Sequence, residues 1–317
     1  MVPKPVRMVA LGGGTGLSTL LQGVKTLPLS SLTAVVTVTD DGGSSGRLRQ
    51  EFGVPPPGDV RNCLVALAED EELLTRLFSF RFPGNGPTGG HSLGNLFMTA
   101  LARLTGDFPQ AVRLAGEVLR VRGVVLPTTS ADVHVVAEGA DGRLVVGESA
   151  IAASGPPRRV ALSPPDARAL PEVLAAIREA DVLVLGPGSL YTSLLPNLLV
   201  QGVAPAVAES LALKIYVANL VTQPGETTGY SLGDHLRVLT SYAPDLTFDV
   251  VLANCEPLPA EVAARYRAAG AEPVLPEPLP GVRVCPKPLL RVTPEGTVRH
   301  DPQRLAKALW ELVEARV

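Results

Sequence analysis

The sequence predicts an α/β protein built on a doubly wound, mostly parallel sheet of Rossmann-like form. Three observations carry that expectation. An apolar run over residues 6–11 passes through Gly12, Gly13, Gly14 and Gly16 into the helically spaced set Leu17, Leu20, Leu21 and Val24. Apolar runs recur at 33–39, 181–185, 214–219 and 248–254, with helical patterns between them. Polar loops fall where these runs end, which is where such sheets bind ligands.

Taken in order, 6–11 is a buried strand and the helix after the glycines completes a strand–loop–helix unit. Residues 33–39 (TAVVTVT) are rich in β-branched residues and form the second strand. Residues 40–46 (DDGGSSG) are expected to be a flexible polar loop. Helices are expected over 59–68, capped by Asp59, and over 71–80, 93–104 and 108–121. The stretch 83–90 (PGNGPTGG) has almost no intrinsic structure. Residues 132–137 and 143–148, joined by 139–142 (GADG), read as a β-hairpin. Together 82–170 form a helical and hairpin insertion in one domain spanning 1–317. Alternation then resumes: helix 171–180, strand 181–185, loop 186–189, helix 191–200, strands 214–219 and 248–254, and a last helix over 302–315.

Composition narrows the function. The chain has 317 residues, 46% of them hydrophobic, enough for a large core. Aromatics at 4% and a net charge of -3 argue against a nucleic-acid surface. Cys63, Cys255 and Cys285 are few and scattered, so neither disulfides nor a zinc site is expected. The first apolar run meets glycines too early for a signal peptide or a membrane span, and a cytoplasmic protein is expected.

The loops supply the candidate site. In Gly12-Gly13-Gly14-Thr15-Gly16-Leu17-Ser18, glycines let backbone approach a ligand, and the helix start offers N–H groups and a positive dipole end to phosphate. Thr15 and Ser18 add hydroxyls. The motif lacks the Lys-Ser/Thr of a Walker loop, and Leu17 stands at the last glycine position of a dinucleotide fingerprint. A plain tight turn is the alternative. Asp40 and Asp41 end the second strand. They could hold a ribose or base, hold a hard metal such as magnesium through carboxylate oxygens, or simply cap nearby N–H groups. Ser44 belongs to the same loop. Arg61 and Asn62 open a helix, where Arg61 could fork onto an anion. His91 and Asn95 follow the glycine-rich stretch; His91 could be an acid, a base or a phosphate donor. Gly188, Ser189 and Thr192 form a second candidate cradle. Asn219, Thr222, Gln223 and Glu226 form a polar run suited to sugar or base. No nucleophile, catalytic triad or zinc spacing is present, so catalysis has no direct support, and the residues after 255 carry no readable motif.

Six of these motifs in order, GGGTGLS, TVTDDGGSSGRLR, GDVRNCL, HSLGN, GPGSLYTS and NLVTQPGET, resemble the gluconeogenesis-factor (YvcK-like) group, over about residues 7 to 255. That group is related to the 2-phospho-L-lactate transferases of deazaflavin-cofactor synthesis. The resemblance implies a nucleotide-sugar ligand of the UDP-N-acetylglucosamine type and a regulatory role in gluconeogenic growth, cell shape and wall synthesis. It implies phosphates on Gly12 to Gly16, carboxylates Asp40 and Asp41 near metal or acceptor, and His91, Asn95, Gly188, Ser189, Thr192, Asn219, Thr222 and Gln223 lining one cleft. The transferase branch instead implies a magnesium-dependent enzyme using a guanosine diphosphate-linked donor. An NAD-dependent oxidoreductase is a third reading, supported by the first strand–loop–helix unit alone. A homodimer and a regulatory protein partner complete the expectation.

Overall fold

The structure, a computed structural model, describes residues 5–69 and 71–316. The expectation for the N-terminus falls partly on residues 1–4, outside the described residues.

The central sheet has seven strands in the order β10-β9-β8-β7-β1-β2-β3, all parallel. They are β1 (Arg7–Gly12), β2 (Ser31–Val36), β3 (Val124–Pro127), β7 (Val182–Leu185), β8 (Leu213–Val217), β9 (Val250–Asn254) and β10 (Arg283–Lys287). Strands this short and this apolar suit a sheet covered on both faces. Side chains alternate accordingly. Met8 and Ala10 of β1 enter one core, with helices α1 (Gly14–Val24), α3 (Gly58–Leu67), α5 (Leu93–Thr105), α6 (Phe108–Val118) and α13 (Pro302–Glu314). Val9 and Leu11 enter the other, with α8 (Pro171–Glu179), α9 (Leu195–Leu199), α10 (Val203–Glu209) and α11 (Leu232–Tyr242). Helices α2 (Gly43–Phe52), α4 (Glu71–Ser79) and α12 (Ala260–Ala268) lie nearer the surface.

Several expectations need correction. The segment 82–170 is not one insertion. Helices α5 and α6 belong to the main layer, and β3 is the seventh strand of the main sheet. The appended unit is the antiparallel sheet of β4 (His134–Glu138), β5 (Leu144–Val146) and β6 (Arg159–Ser163), with the short helix α7 (Glu148–Ser154). The hairpin itself is present, Val136 facing Val146, but Glu148 begins α7 instead of ending a strand. The loop expected at 40–46 gives way to α2 at Gly43. The helix expected over 191–200 divides into a π-helical turn (Leu190–Leu194) and α9. Past residue 255, the hairpin of β11 (Leu290–Val292) and β12 (Val298–His300) leads into α13, which packs on α1.

Candidate functional site

Strands β1 and β7 are neighbours, Leu11 beside Leu185, and the chain leaves them toward opposite edges of the sheet. That reversal opens a crevice at the carboxyl ends of the strands. The glycine loops after β1 and β7 flank it. Gly14 opens α1 at φ +61°, a conformation glycine adopts without steric cost. Leu17, Leu20 and Leu21, fully buried, hold α1 against the sheet so that its N-terminus stays at the crevice. At Gly16 a Cβ would stand 2.4 Å from the Pro187 carbonyl oxygen, so the two loops touch backbone to backbone. The Gly14 N–H donates to the Asp59 carboxylate. The N–H groups of Thr15 and Gly16 fall in the first helical turn, which offers them no acceptor. They remain available to an anion.

A cavity of about 360 Å³ lies over this loop. Gly13, Gly14, Thr15 and Gly16 form its floor, and Gly188, Ser189, Asn219 and Gln223 form one wall. That wall is tied together. Gly188 N–H donates to Asn219 Oδ1 at 3.1 Å, and Asn219 Nδ2 donates back to the Gly188 carbonyl at 2.9 Å. Gln223 Nε2 donates to Ser189 Oγ at 2.7 Å. The facing wall is Val298, Arg299 and His300 of β12, which no sequence signal marked. His300 donates to the Ala218 carbonyl, and burial pushes its imidazole down to about 4, so the ring is neutral. Arg299 is exposed at the rim and, among the described residues, donates to its neighbour's carbonyl, that of Val298.

Carboxylates make the remaining boundary. Glu148, delivered by α7, lines the cavity, and its carboxyl is pushed up to about 8, first by burial and then by Asp59, Asp40 and Glu226. Asp59 is pushed up to about 7 by burial and by Asp40. Asp59 does not cap α3, because the cap position is Pro57 and its carboxylate instead receives the Gly14 N–H. The pair Asp40-Asp41 is split. Asp40 accepts from Gly42 N–H at 2.9 Å and acts electrostatically on Asp59, Glu148 and Arg61. Asp41 instead accepts from the N–H and hydroxyl of Ser149 at 3.0 and 2.9 Å, anchoring the start of α7. The two carboxylates thus take different hydrogen-bond partners. Among the described residues no group of three or more His, Cys, Asp or Glu side chains is placed to hold a metal.

Ser44, Arg61, Asn62, His91 and Asn95 lie apart from the cavity lining, as one polar network. Ser44 Oγ is 2.9 Å from His91 Nδ1 and accepts from Asn95 Nδ2 at 3.1 Å. Arg61 donates to Ser92 Oγ at 2.9 Å and to Asn62 Oδ1. Burial and then the Arg47 charge push His91 down, which keeps the ring neutral. Other expected ligand residues act on the scaffold. Ser18 Oγ donates to the Thr15 carbonyl, the Gly12 carbonyl accepts from Asn197, and Thr222 is bonded to Glu272. Thr192 and Glu226 sit just behind Glu148, both buried.

Comparison with known proteins places the chain in a family. The family model for 2-phospho-L-lactate transferase CofD matches residues 8–290. The chain belongs to this family. Within it, the gluconeogenesis factor of Halalkalibacterium halodurans is 50% identical over 86% of this chain and 84% of its own length. The gluconeogenesis factor of Bacillus subtilis is 44% identical over 99% of this chain and 100% of its own. The crystal structure of protein BH3568 from Bacillus halodurans superposes with a TM-score of 0.93 at 46% identity, covering 97% of this chain and all of that one. That protein therefore shares the fold of this chain.

Proposed function

We propose that this protein binds a nucleotide-sugar of the UDP-N-acetylglucosamine type in the crevice and acts as a cytoplasmic regulator of gluconeogenic growth, cell shape and wall synthesis. The observation that carries the binding reading is the cavity over the N-terminus of α1. Its floor offers the free N–H groups of the first turn and a positive dipole end. Arg299 at the rim supplies a cation that is bonded to a backbone carbonyl and, among the described residues, to no carboxylate. Phosphates sit on Gly14, Thr15 and Gly16, and the rest of the nucleotide runs along Ser189, Asn219 and Gln223. At 360 Å³ the cavity falls within the range of small-molecule sites. The gluconeogenic role rests on the relatives that bear the name gluconeogenesis factor. A homodimer and a regulatory protein partner belong to the same reading, and light scattering with and without the ligand tests the first. No helix among the described residues is long and apolar enough to cross a membrane.

Isothermal titration with UDP-N-acetylglucosamine, GDP and NAD, each with and without magnesium, tests the ligand. Selective micromolar binding of the UDP-sugar, on the order of -8 kcal/mol, is expected. Preference for NAD or GDP would overturn the assignment. A second reading, a phospho-group transferase acting on a deazaflavin, is favoured by the family match and by Asp40, Asp59 and Glu148 beside the phosphate loop. Product formation from a guanosine diphosphate-linked donor and a deazaflavin, dependent on magnesium, would establish it in place of the first.

A further inference from the structure

Among the described residues, Glu148 is the one acidic side chain that lines the cavity, and it faces the loop assigned to phosphate. The pairing of an anion with a carboxylate is repulsive unless a cation or a proton intervenes. The charged groups acting on Glu148 come from three elements and none is basic. Asp59 belongs to α3, Asp40 to the turn after β2, and Glu226 to the loop after β8. The nearest arginine of α3, Arg61, is turned to Ser92 and Asn62. On β12, across the same cavity, His300 is neutral. Arg299 is turned to the Val298 carbonyl at the rim, where it is not among the groups acting on Glu148.

The hydrogen bonds around Glu148 point to a proton. The Thr192 hydroxyl oxygen lies 3.3 Å from Glu148 Oε1 and 3.3 Å from Glu226 Oε1. A hydroxyl has a single proton and can donate to only one of them. The second contact is a hydrogen bond only if a carboxyl supplies a proton of its own. Glu226 is 3% exposed and its other oxygen has no partner, so a charged Glu226 would be costly and unsolvated. Two buried carboxyls that share one hydroxyl donor are an arrangement that a proton on one of them relieves, and Glu148 is the one of the two that lines the cavity.

We infer that Glu148, in its protonated form, is a hydrogen-bond donor to the ligand's phosphate on the Gly14–Gly16 loop, so that ligand binding takes up a proton at this carboxyl. The inference rests on the nucleotide reading above. It makes the appended sheet and α7 a working part of the site, because Asp41 fastens the start of α7 and thereby positions Glu148. Its pKa direction agrees: the carboxyl is already raised to about 8 without ligand, and an adjacent phosphate raises it further. A group protonated on binding gives affinity that is full below about 8 and lost as pH rises above it.

The test is calorimetric titration of UDP-N-acetylglucosamine into the full chain near pH 8.5, in EDTA, in two buffers of different ionisation enthalpy. The wild type should take up a fraction of a proton that approaches one as the pH is raised, with Kd rising about tenfold per pH unit above that range. Glu148→Gln keeps an N–H donor and should bind with little proton uptake and little pH dependence. Equal heats in both buffers for the wild type, or undiminished uptake in Glu148→Gln, would overturn the inference while leaving the nucleotide reading intact. Binding that requires magnesium and takes up no proton would also overturn it, by assigning the counter-charge to a cation. If the wild type binds no nucleotide at all, the functional reading fails and this inference goes with it. The two-buffer measurement on the wild type stands whether or not the variant folds.

Discussion

Two glycine loops of similar composition flank the crevice, and they do different things. The first, Gly12 to Gly16, runs into α1 with the amides of its first turn open to the cavity. The second, Gly186 to Ser189, runs into a buried π-helical turn, and its polar groups are already used: Gly188 is bonded twice to Asn219, and Ser189 accepts from Gln223. One loop offers donors and the other is a fixed wall. The difference arises in the segment just after each glycine run. A regular helix leaves its first amides unpaired, whereas side chains from the neighbouring β8 loop fill the second loop's hydrogen bonds in advance.

The largest expected effect breaks the contact between the loops. Gly16→Ala places a methyl 2.4 Å from the Pro187 carbonyl, backbone against backbone, and should destabilise the fold by about 2–4 kcal/mol in urea titration. Next is Gly14→Val. Open space surrounds a Cβ there, but φ is +61°, so strain of about 1–3 kcal/mol is expected with the fold retained and nucleotide binding abolished. Unchanged affinity in that variant would remove the first loop from phosphate binding. Asn219→Ala frees both bonds to Gly188 and should cost about 1–2 kcal/mol of stability and about tenfold in affinity, read by calorimetry.

A pH comparison is smaller and has a defined sign. The Glu148 carboxyl is raised in the folded state to about 8, so its stability contribution is complete below the unfolded value near 4.5 and is lost as pH rises through about 8. Glu148→Gln should therefore raise Tm relative to wild type at pH 9 and show little gain at pH 5. The smallest effect is Ser18→Ala, whose hydroxyl serves its own helix through the Thr15 carbonyl; affinity should change less than about twofold.

Five of the seven strands were legible because they are apolar and separated by helical periodicity, as 6–11 and 181–185 illustrate; β3 and β10, short strands at the two edges of the sheet, carried no such signal. The first glycine loop was legible because its context, strand before and helix after, is local. What could not be read depends on distant partners. Asp59 looked like a helix cap, yet the fold turns it to Gly14. Asp40 and Asp41 looked like a pair, but Ser149 of the appended unit takes one of them. Glu148 carries no motif and reaches the cavity only through β4, β5 and that anchor. Val298 to His300 come to the site because α13 packs on α1, a contact nearly 300 residues apart in sequence that no short pattern records.

The central claim, that the first loop carries the phosphate, is tested most directly by monitoring backbone amide resonances while UDP is titrated into the isotope-labelled protein. Saturable shifts concentrated at Thr15 and Gly16, with Gly188 moving little, are the predicted result. Shifts concentrated at Gly188 and Ser189, or around Ser44 and His91, with Thr15 and Gly16 unmoved, would contradict it.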